Sequence, residues 1–467
     1  MPAETILHAR WIIPIVPHAQ VLEQHSLVIN DGLITALLPT NEARQLARQN
    51  HTREIELPNH ALTPGFVNAH THLAMNLLRG VADDLPLMTW LQEHIWPLEN
   101  QLLSDAFVFD GSQLACAELI KSGVTCFNDM YFFPAATLRA AEEAGLRASI
   151  GLTVIDFPTA WGKNADDYLQ KGQALHEEWH IRYSERSALA RSLRHELNLL
   201  EEWHGNPRMS FMLAPHAPYT VSDAPLERIR TLAEKLDIGI HMHVHETAFE
   251  VAEAMRLTGE RPLARLHRLG LLNKNFLAVH MTQLIDAEID MLAERGVHIA
   301  HCPESNLKLA SGIAPLARLK ERGINVAIGT DGAASNNDLD LLGETRTAAL
   351  LAKGFSGDAA AIPAADALHM ATLGGARALG LDARIGSLEP GKAADFIAID
   401  LGHIETQPVF DPIAQIIYAA GRHQVTHLWV AGRMLMNERR LMSLNEDELL
   451  ANAQEWQEKI QQLRTSQ

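Results

Sequence analysis

His70 and His72 stand two residues apart at the end of the apolar run PGFVNAHTH. If that run is a strand, both imidazoles face one side and can meet a single ion. A second run, HMHVHET at 241–247, alternates in the same way, so His243 shares a face with His241 and His245. Glu246 follows three residues after His243. A carboxylate beside a divalent ion, rather than on it, is what hydrolytic proton traffic needs. Asp331 stands in NVAIGTDG, where it can bind an ion and take a proton from water, and His280 ends FLAVH. Singly, each of these has an ordinary structural reading, and an HxH pair arises easily by chance in a chain with 24 histidines. Taken together they describe metal-assisted hydrolysis.

The elements that must position them are legible as eight apolar runs: LTPGFVNAHTH, GVTCFNDM, RASIGLTVI, MSFMLAPH, GIHMHVHE, FLAVHMTQ, VHIAHCPE and NVAIGTDG. Nearly all end in a residue that binds metal or moves a proton, His216 and His301 included. Helical stretches such as SDAFVFDGSQLACAELIKSG and IDAEIDMLAERG separate them and stop at Gly or Asp. Strands alternating with helices predict an α/β fold, a (β/α)8 TIM barrel, whose chemistry sits at the carboxyl ends of the strands. The expected barrel spans 61–384. Residues 1–60 and 385–467 read as strand–turn–strand, with Asn30-Asp31-Gly32 as one turn. They are expected to pair the two chain ends into one small β module, followed by a helix over 445–464. EEWH occurs at 177–180 and again at 201–204. The stretch 180–203 is expected to be a helical insertion, capped by Ser184, with Leu189, Leu193, Leu197 and Leu200 on one face and four arginines elsewhere. A surface helix is the plain reading of it; a lid or an oligomer contact is the sharper one.

Composition narrows the partners. The 467 residues carry a net charge of −18, which argues against nucleic acid or an anionic membrane and favours a small neutral or cationic substrate. Cys116, Cys126 and Cys302 make no disulfide framework, so a reducing cytoplasm is expected. Neither a signal peptide nor an apolar run long enough to span a bilayer is seen in the sequence.

With these motifs in place, the chain resembles the amidohydrolase superfamily. PGFVNAHTH, HVHET, AVHMTQ, HCPESNLKLASG and GTDGAASNNDLD are similar to its aminohydrolase branch, nearest the 5-methylthioadenosine/S-adenosylhomocysteine deaminases and their triazine-hydrolase relatives. The resemblance runs from about residue 5 to 460. It implies the barrel, the two-ended β-sandwich and one divalent ion, zinc. It also implies His70, His72, His243 and Asp331 as metal ligands, Glu246 as proton shuttle, and His280 as the residue polarising the attacking water. Glu99, in WPLEN, resembles the ribose-binding carboxylate, and His216, in LAPHAPYT, the substrate-contacting histidine. Binuclear relatives carry a bridging lysine at the end of the fourth strand; His216 stands in that region, which favours one metal. A homodimer or homotetramer is implied as well.

The implied activity is hydrolytic deamination of an adenine nucleoside. Leu85, Leu87, Met88, Trp90 and Leu91 offer an apolar wall for a methylthio group or a ring, or else ordinary helix packing. An amino-acid tail on the substrate would need a cation. After the third strand only Lys163 is offered, with Arg147 at that strand's start. We therefore expect 5′-methylthioadenosine or adenosine ahead of S-adenosylhomocysteine. Rivals on the same scaffold are deamination of a free base (guanine or cytosine) and triazine hydrolysis. A non-catalytic scaffold protein is opposed by the presence of every ligand and of Glu246. A phosphate-binding barrel is opposed by the lack of a Gly-rich loop after the last strands.

Overall fold

The computed structural model describes residues 4–193 and 208–465, backbone alone over 183–193. Eight parallel strands form the barrel: β1 Phe66–Thr71, β2 Val124–Tyr131, β3 Arg147–Val154, β4 Met209–Pro215, β5 Gly239–Val244, β6 Phe276–His280, β7 His298–His301 and β8 Val326–Ile328. Each is hydrogen-bonded to the next in sequence order. Their residues are almost wholly buried, as strands covered on both faces must be. The expected helices follow the expected punctuation. Asp105–Ser122 starts with Ser104 accepting from the Phe107 amide and stops at Gly123, whose φ of 91° no β-carbon favours.

The seam between β8 and β1 is closed by side chains. Asn68 accepts from the Thr330 amide at 3.1 Å and donates to its hydroxyl at 2.7 Å. The Asp331 amide donates to the His70 carbonyl at 3.0 Å. At Gly329 a β-carbon would lie 2.9 Å from the His70 Cβ and 3.0 Å from the Cys302 Sγ, so only glycine lets the strand end approach this closely.

Both chain ends contribute to a separate nine-stranded sheet. Its order is Arg440–Leu441, Arg433–Asn437, Val425–Val430, Phe396–Asp400, Arg53–Pro64, Thr5–Ile12, His25–Asn30 and Leu33–Pro39, with Leu22–Glu23 paired to Thr5–Ile12. Phe396 stacks on Trp429 at 4.5 Å in its core. A buried, bidentate ion pair from Arg147 of β3 to Asp395 (2.8 and 3.2 Å) ties barrel to sheet. The terminal helix, Glu446–Thr465, lays Trp456 edge-on against Phe107 at 5.2 Å and donates its indole N–H to Asp110.

Two local readings are corrected. Residues 1–60 are not strands and turns alone: Thr40–Asn50 is a helix that buries only Ala43 and Ala47, with Leu46 packed beside them, a stripe of one turn. Ser184 is not an N-cap, because one helix runs unbroken over Ala165–Leu193. The remainder of the expected insertion, 194–203, lies outside the described residues. Among the described residues, no helix is long and apolar enough to cross a membrane.

Candidate metal centre and substrate cavity

The strand ends converge as their periodicity requires. His70 and His72 leave the end of β1, His243 points from β5, and Asp331 follows β8. His243 Nε2 lies 3.2 Å from His70 Nε2. Asp331 Oδ1 lies 3.4 Å from His70 Nε2 and 3.2 Å from His72 Nε2. Four donors on a tetrahedral ion with bonds of about 2.0–2.1 Å would be separated by about 3.3 Å, so this set fits one divalent ion. His280 Nε2 belongs to the same neighbourhood, grouped with His70 and His243.

Each donor is aimed by a second bond. His72 Nδ1–H donates to the Met130 carbonyl, and His243 Nδ1–H donates to the His216 carbonyl at 2.7 Å. In both rings this leaves the Nε2 lone pair free to coordinate. His70 Nδ1 meets His241 Nε2 at 2.9 Å, and His241 Nδ1 meets the Asn128 amide at 3.1 Å. Ser305 donates to Asp331 Oδ2 at 2.6 Å. His280 Nδ1–H donates to Asn306 Oδ1 at 2.8 Å. Burial drives His70 down to about 4 and His243 well below its ordinary value, so both rings are neutral and able to coordinate. Asp331 is held well below the carboxylate range despite burial by the imidazoles of His70 and His72 beside it. His280 (φ 73°) and Asp331 (φ 60°) sit in the left-handed region. Strain of about 1–3 kcal/mol at each is offset by these bonds.

A cavity of ≈ 360 Å³ opens over the donors. His72, His243, Glu246, His280 and Asp331 line one end. Glu246 lies just past β5, with Oε2 3.7 Å from His280 Nε2 and Oε1 3.4 Å from the Ser311 hydroxyl. Burial raises its carboxyl above the ordinary range. Glu99 and Trp90 line the remainder with Leu87, Leu91, Trp96 and Phe157. The stretch expected as wall or packing is both: Leu87–Thr89, Trp90–Ile95 and Trp96–Leu102 are helical, and their inner face is the cavity wall. Glu99 accepts from the Tyr131 hydroxyl at 2.5 Å, and burial pushes it up to about 7. His216 also lines the cavity, its Nδ1 3.1 Å from the Thr220 hydroxyl.

Of the residues singled out from the sequence as site candidates, His72, Trp90, Glu99, His216, His243, Glu246, His280 and Asp331 border one space, with His70 standing against His243 and Asp331 behind it. His301 does not: it is buried, outside the cavity lining and without a hydrogen-bond partner. His245 leaves the strand with φ 54° and turns its Nε2 to the Leu263 amide, away from the donors. Sequence reasoning missed Asn128, Tyr131, Ser305 and Asn306, and saw His241 only as a neighbour of His243. Their signal was placement in NDMY and HCPESN, in the last half of one barrel strand and in the turn and helix just after another.

This chain belongs to the amidohydrolase family, whose sequence model matches residues 61–435. Within it, the chain is 46% identical over 455 residues to a protein of Teredinibacter turnerae named 5-methylthioadenosine/S-adenosylhomocysteine deaminase, covering 97% of each. A protein of the same name from Saccharophagus degradans is 46% identical over 466 residues, covering 100% of this chain and 98% of the other. Among solved structures, an adenosine deaminase from Xanthomonas campestris with bound zinc aligns with a TM-score of 0.91 at 49% identity, covering 99% of both chains. A triazine hydrolase variant aligns at 0.85 with 22% identity over 97% of this chain and 99% of the other, a likeness of fold alone.

Proposed function

We propose that this protein is a zinc-dependent deaminase of adenine nucleosides, with 5′-methylthioadenosine as the preferred substrate. The observation that carries the reading is one buried carboxylate, Glu99, set in the same apolar cavity as the His70–His72–His243–Asp331 donor set. A charged acceptor takes two hydroxyl hydrogen bonds from a ribose diol; a free base has no such diol. The names and bound zinc of the close relatives agree with it.

When bound, the ion lowers the pKa of its water to roughly 7. Asp331 takes a proton from the attacking water, while His280, fixed through Nδ1 by Asn306, accepts a hydrogen bond from it at Nε2. Burial keeps Glu246 in reach of its protonated form. It donates to the ring nitrogen beside C6, and the water oxygen adds to that carbon. The C6–N bond then breaks as a proton from Asp331, direct or relayed by Glu246, goes to the amine; the added hydroxyl gives its proton to the carboxylate left free, and ammonia leaves a 6-oxo purine. Thr220, whose hydroxyl donates to the Ala217 carbonyl at 3.1 Å, also lies 3.1 Å from His216 Nδ1 and holds that ring at the cavity wall, where it can contact another ring nitrogen of the substrate. Trp90 lends a ring face and an indole N–H that has no partner in the protein.

The far end of the cavity favours a methylthio group over an amino-acid tail. Among the described residues no Lys or Arg lines it; Arg147 is paired with Asp395 and Lys163 is exposed outside the lining. A reducing cytoplasm suits three free, buried cysteines. Ile404 and Phe410, each 93% exposed, are surfaces a homodimer would cover, which light scattering would register as doubled mass.

The deciding experiment measures ammonia release by zinc-loaded enzyme from 5′-methylthioadenosine, adenosine, S-adenosylhomocysteine, adenine, guanine and cytosine. We expect the first two to lead in kcat/KM. Turnover of a free base alone would remove the ribose site and with it this reading. Equal constants for all three nucleosides would remove the argument from the missing cation.

A further inference from the structure

The duplicated EEWH tetrapeptide is not used by the chemistry above. Its first copy is preceded by a histidine, making His176-Glu177-Glu178-Trp179-His180. The stretch lies in the helix Ala165–Leu193, where residues four apart share a face. His176 Nε2 and His180 Nε2 stand 3.1 Å apart, with ring centroids at 4.3 Å. Two imidazoles on one tetrahedral ion, at bonds of about 2.0–2.1 Å, would hold their nitrogens about 3.3 Å apart. The pair is therefore set at the bite of a chelate before any ion arrives.

The two rings differ in how they are held. His176 is 7% exposed, and its ring packs against Phe211 of β4 at 5.3 Å. His180, one turn on, is exposed and free to adjust. A fixed ligand beside an adaptable one lowers the ordering cost of binding while leaving the other coordination positions open to water. Neither residue lines the catalytic cavity.

We propose that His176 and His180 form a second, surface site for a borderline transition-metal ion (Zn2+, Ni2+ or Cu2+), separate from the barrel centre. Imidazole pairs select these ions over Mg2+ or Ca2+, which prefer oxygen. The His-Glu-x-x-His pattern is also the signature of helical zinc proteases. Here it makes a binding site and not a peptidase: Glu177 is engaged by Gln173 at 2.8 Å, and among the described residues no third metal-binding side chain completes the set.

The test is metal uptake by the whole enzyme. Wild type and His180→Ala, each saturated at the barrel centre, are dialysed against graded micromolar Zn2+ and counted by elemental analysis. His180 is exposed and away from the cavity, so folding and deaminase turnover are expected to be unchanged in the variant. Wild type should take up one more equivalent than the variant, with affinity for that ion reduced about tenfold or more in the variant. In parallel, Cu2+ added to the zinc-loaded wild type should show hyperfine coupling to two nitrogens, reduced in His180→Ala. Identical uptake curves and identical spectra would overturn the site. Neither readout depends on which nucleoside is deaminated.

Discussion

The two ends of the cavity are built on different principles. At the donor end every functional atom leaves a strand end and is locked by a second bond: His72 by Met130, His243 by His216, His70 by His241, Asp331 by Ser305 and His280 by Asn306. At the nucleoside end the walls come from helical turns after β1 and from the loop after β3, and one carboxylate, held by Tyr131, supplies the polarity. The lesson is a division of labour. Rigid strands hold atoms to fractions of an ångström for bond making, while connecting segments shape the space that chooses a substrate.

The largest expected effect breaks the donor end without disturbing its ion. Glu246→Gln should bind metal as wild type does and lose about 10²–10⁴ in kcat; metal analysis beside steady-state kinetics reads both, and near-normal turnover would end the proton-shuttle role. Next, His241→Leu touches neither substrate nor ion yet removes the partner of His70 Nδ1. Metal affinity should fall about 10–100-fold in chelator competition, and an unchanged value would mean the packing alone orients His70.

At the nucleoside end, Glu99→Gln should raise KM for 5′-methylthioadenosine about tenfold with a smaller change in kcat. Burial sets Glu99 to about 7, and only the charged form accepts both hydroxyls. Wild-type KM should therefore fall as pH rises through about 7, a trend absent in the variant. The stability sign is opposite. A carboxyl raised in the folded state contributes fully below its ordinary 4.5, and that contribution is lost as pH rises through about 7. Thermal unfolding of Glu99→Gln should lack that slope.

The smallest effect belongs to a histidine that serves neither end. His301 is buried without a partner and burial lowers it to about 3. His301→Leu should stabilise the protein by about 1–2 kcal/mol at neutral pH. Its depressed value means that stability present above 6.5 is lost on acidification toward about 3, so the variant's advantage should widen as pH falls. Denaturant titrations at two pH values check it, and a destabilised variant would assign His301 a role in the site.

Legibility followed the same division. The eight strands and the donors were readable because a barrel strand is a short apolar run and its chemistry sits at one end, where HxH, HVHE and GTDG punctuate it. Thr40–Asn50 escaped notice because its apolar stripe is short and made of small residues, Ala43 and Ala47 with Leu46 beside them. Ser184 misled because a serine before leucines at helical spacing reads as a cap, whereas the helix had already begun at Ala165. His241 and His245 looked equivalent around His243; one buttresses His70 and the other turns to Leu263 because the chain leaves the strand at φ 54°.

By itself, then, the order of residues determined which atoms can bind an ion and on which face of each strand they lie, since both follow from residue type and a period of two. Tertiary structure alone decided which nitrogen of each imidazole faces the ion. The partners that settle it, Met130, His216 and Asn306, stand 58, 27 and 26 positions from the rings they orient. It also decided that Glu99 faces the donors across an apolar cavity. That meeting depends on closure of the ring by Asn68 and Thr330, 262 residues apart, and no local pattern encodes the distance between two segments before the ring has closed.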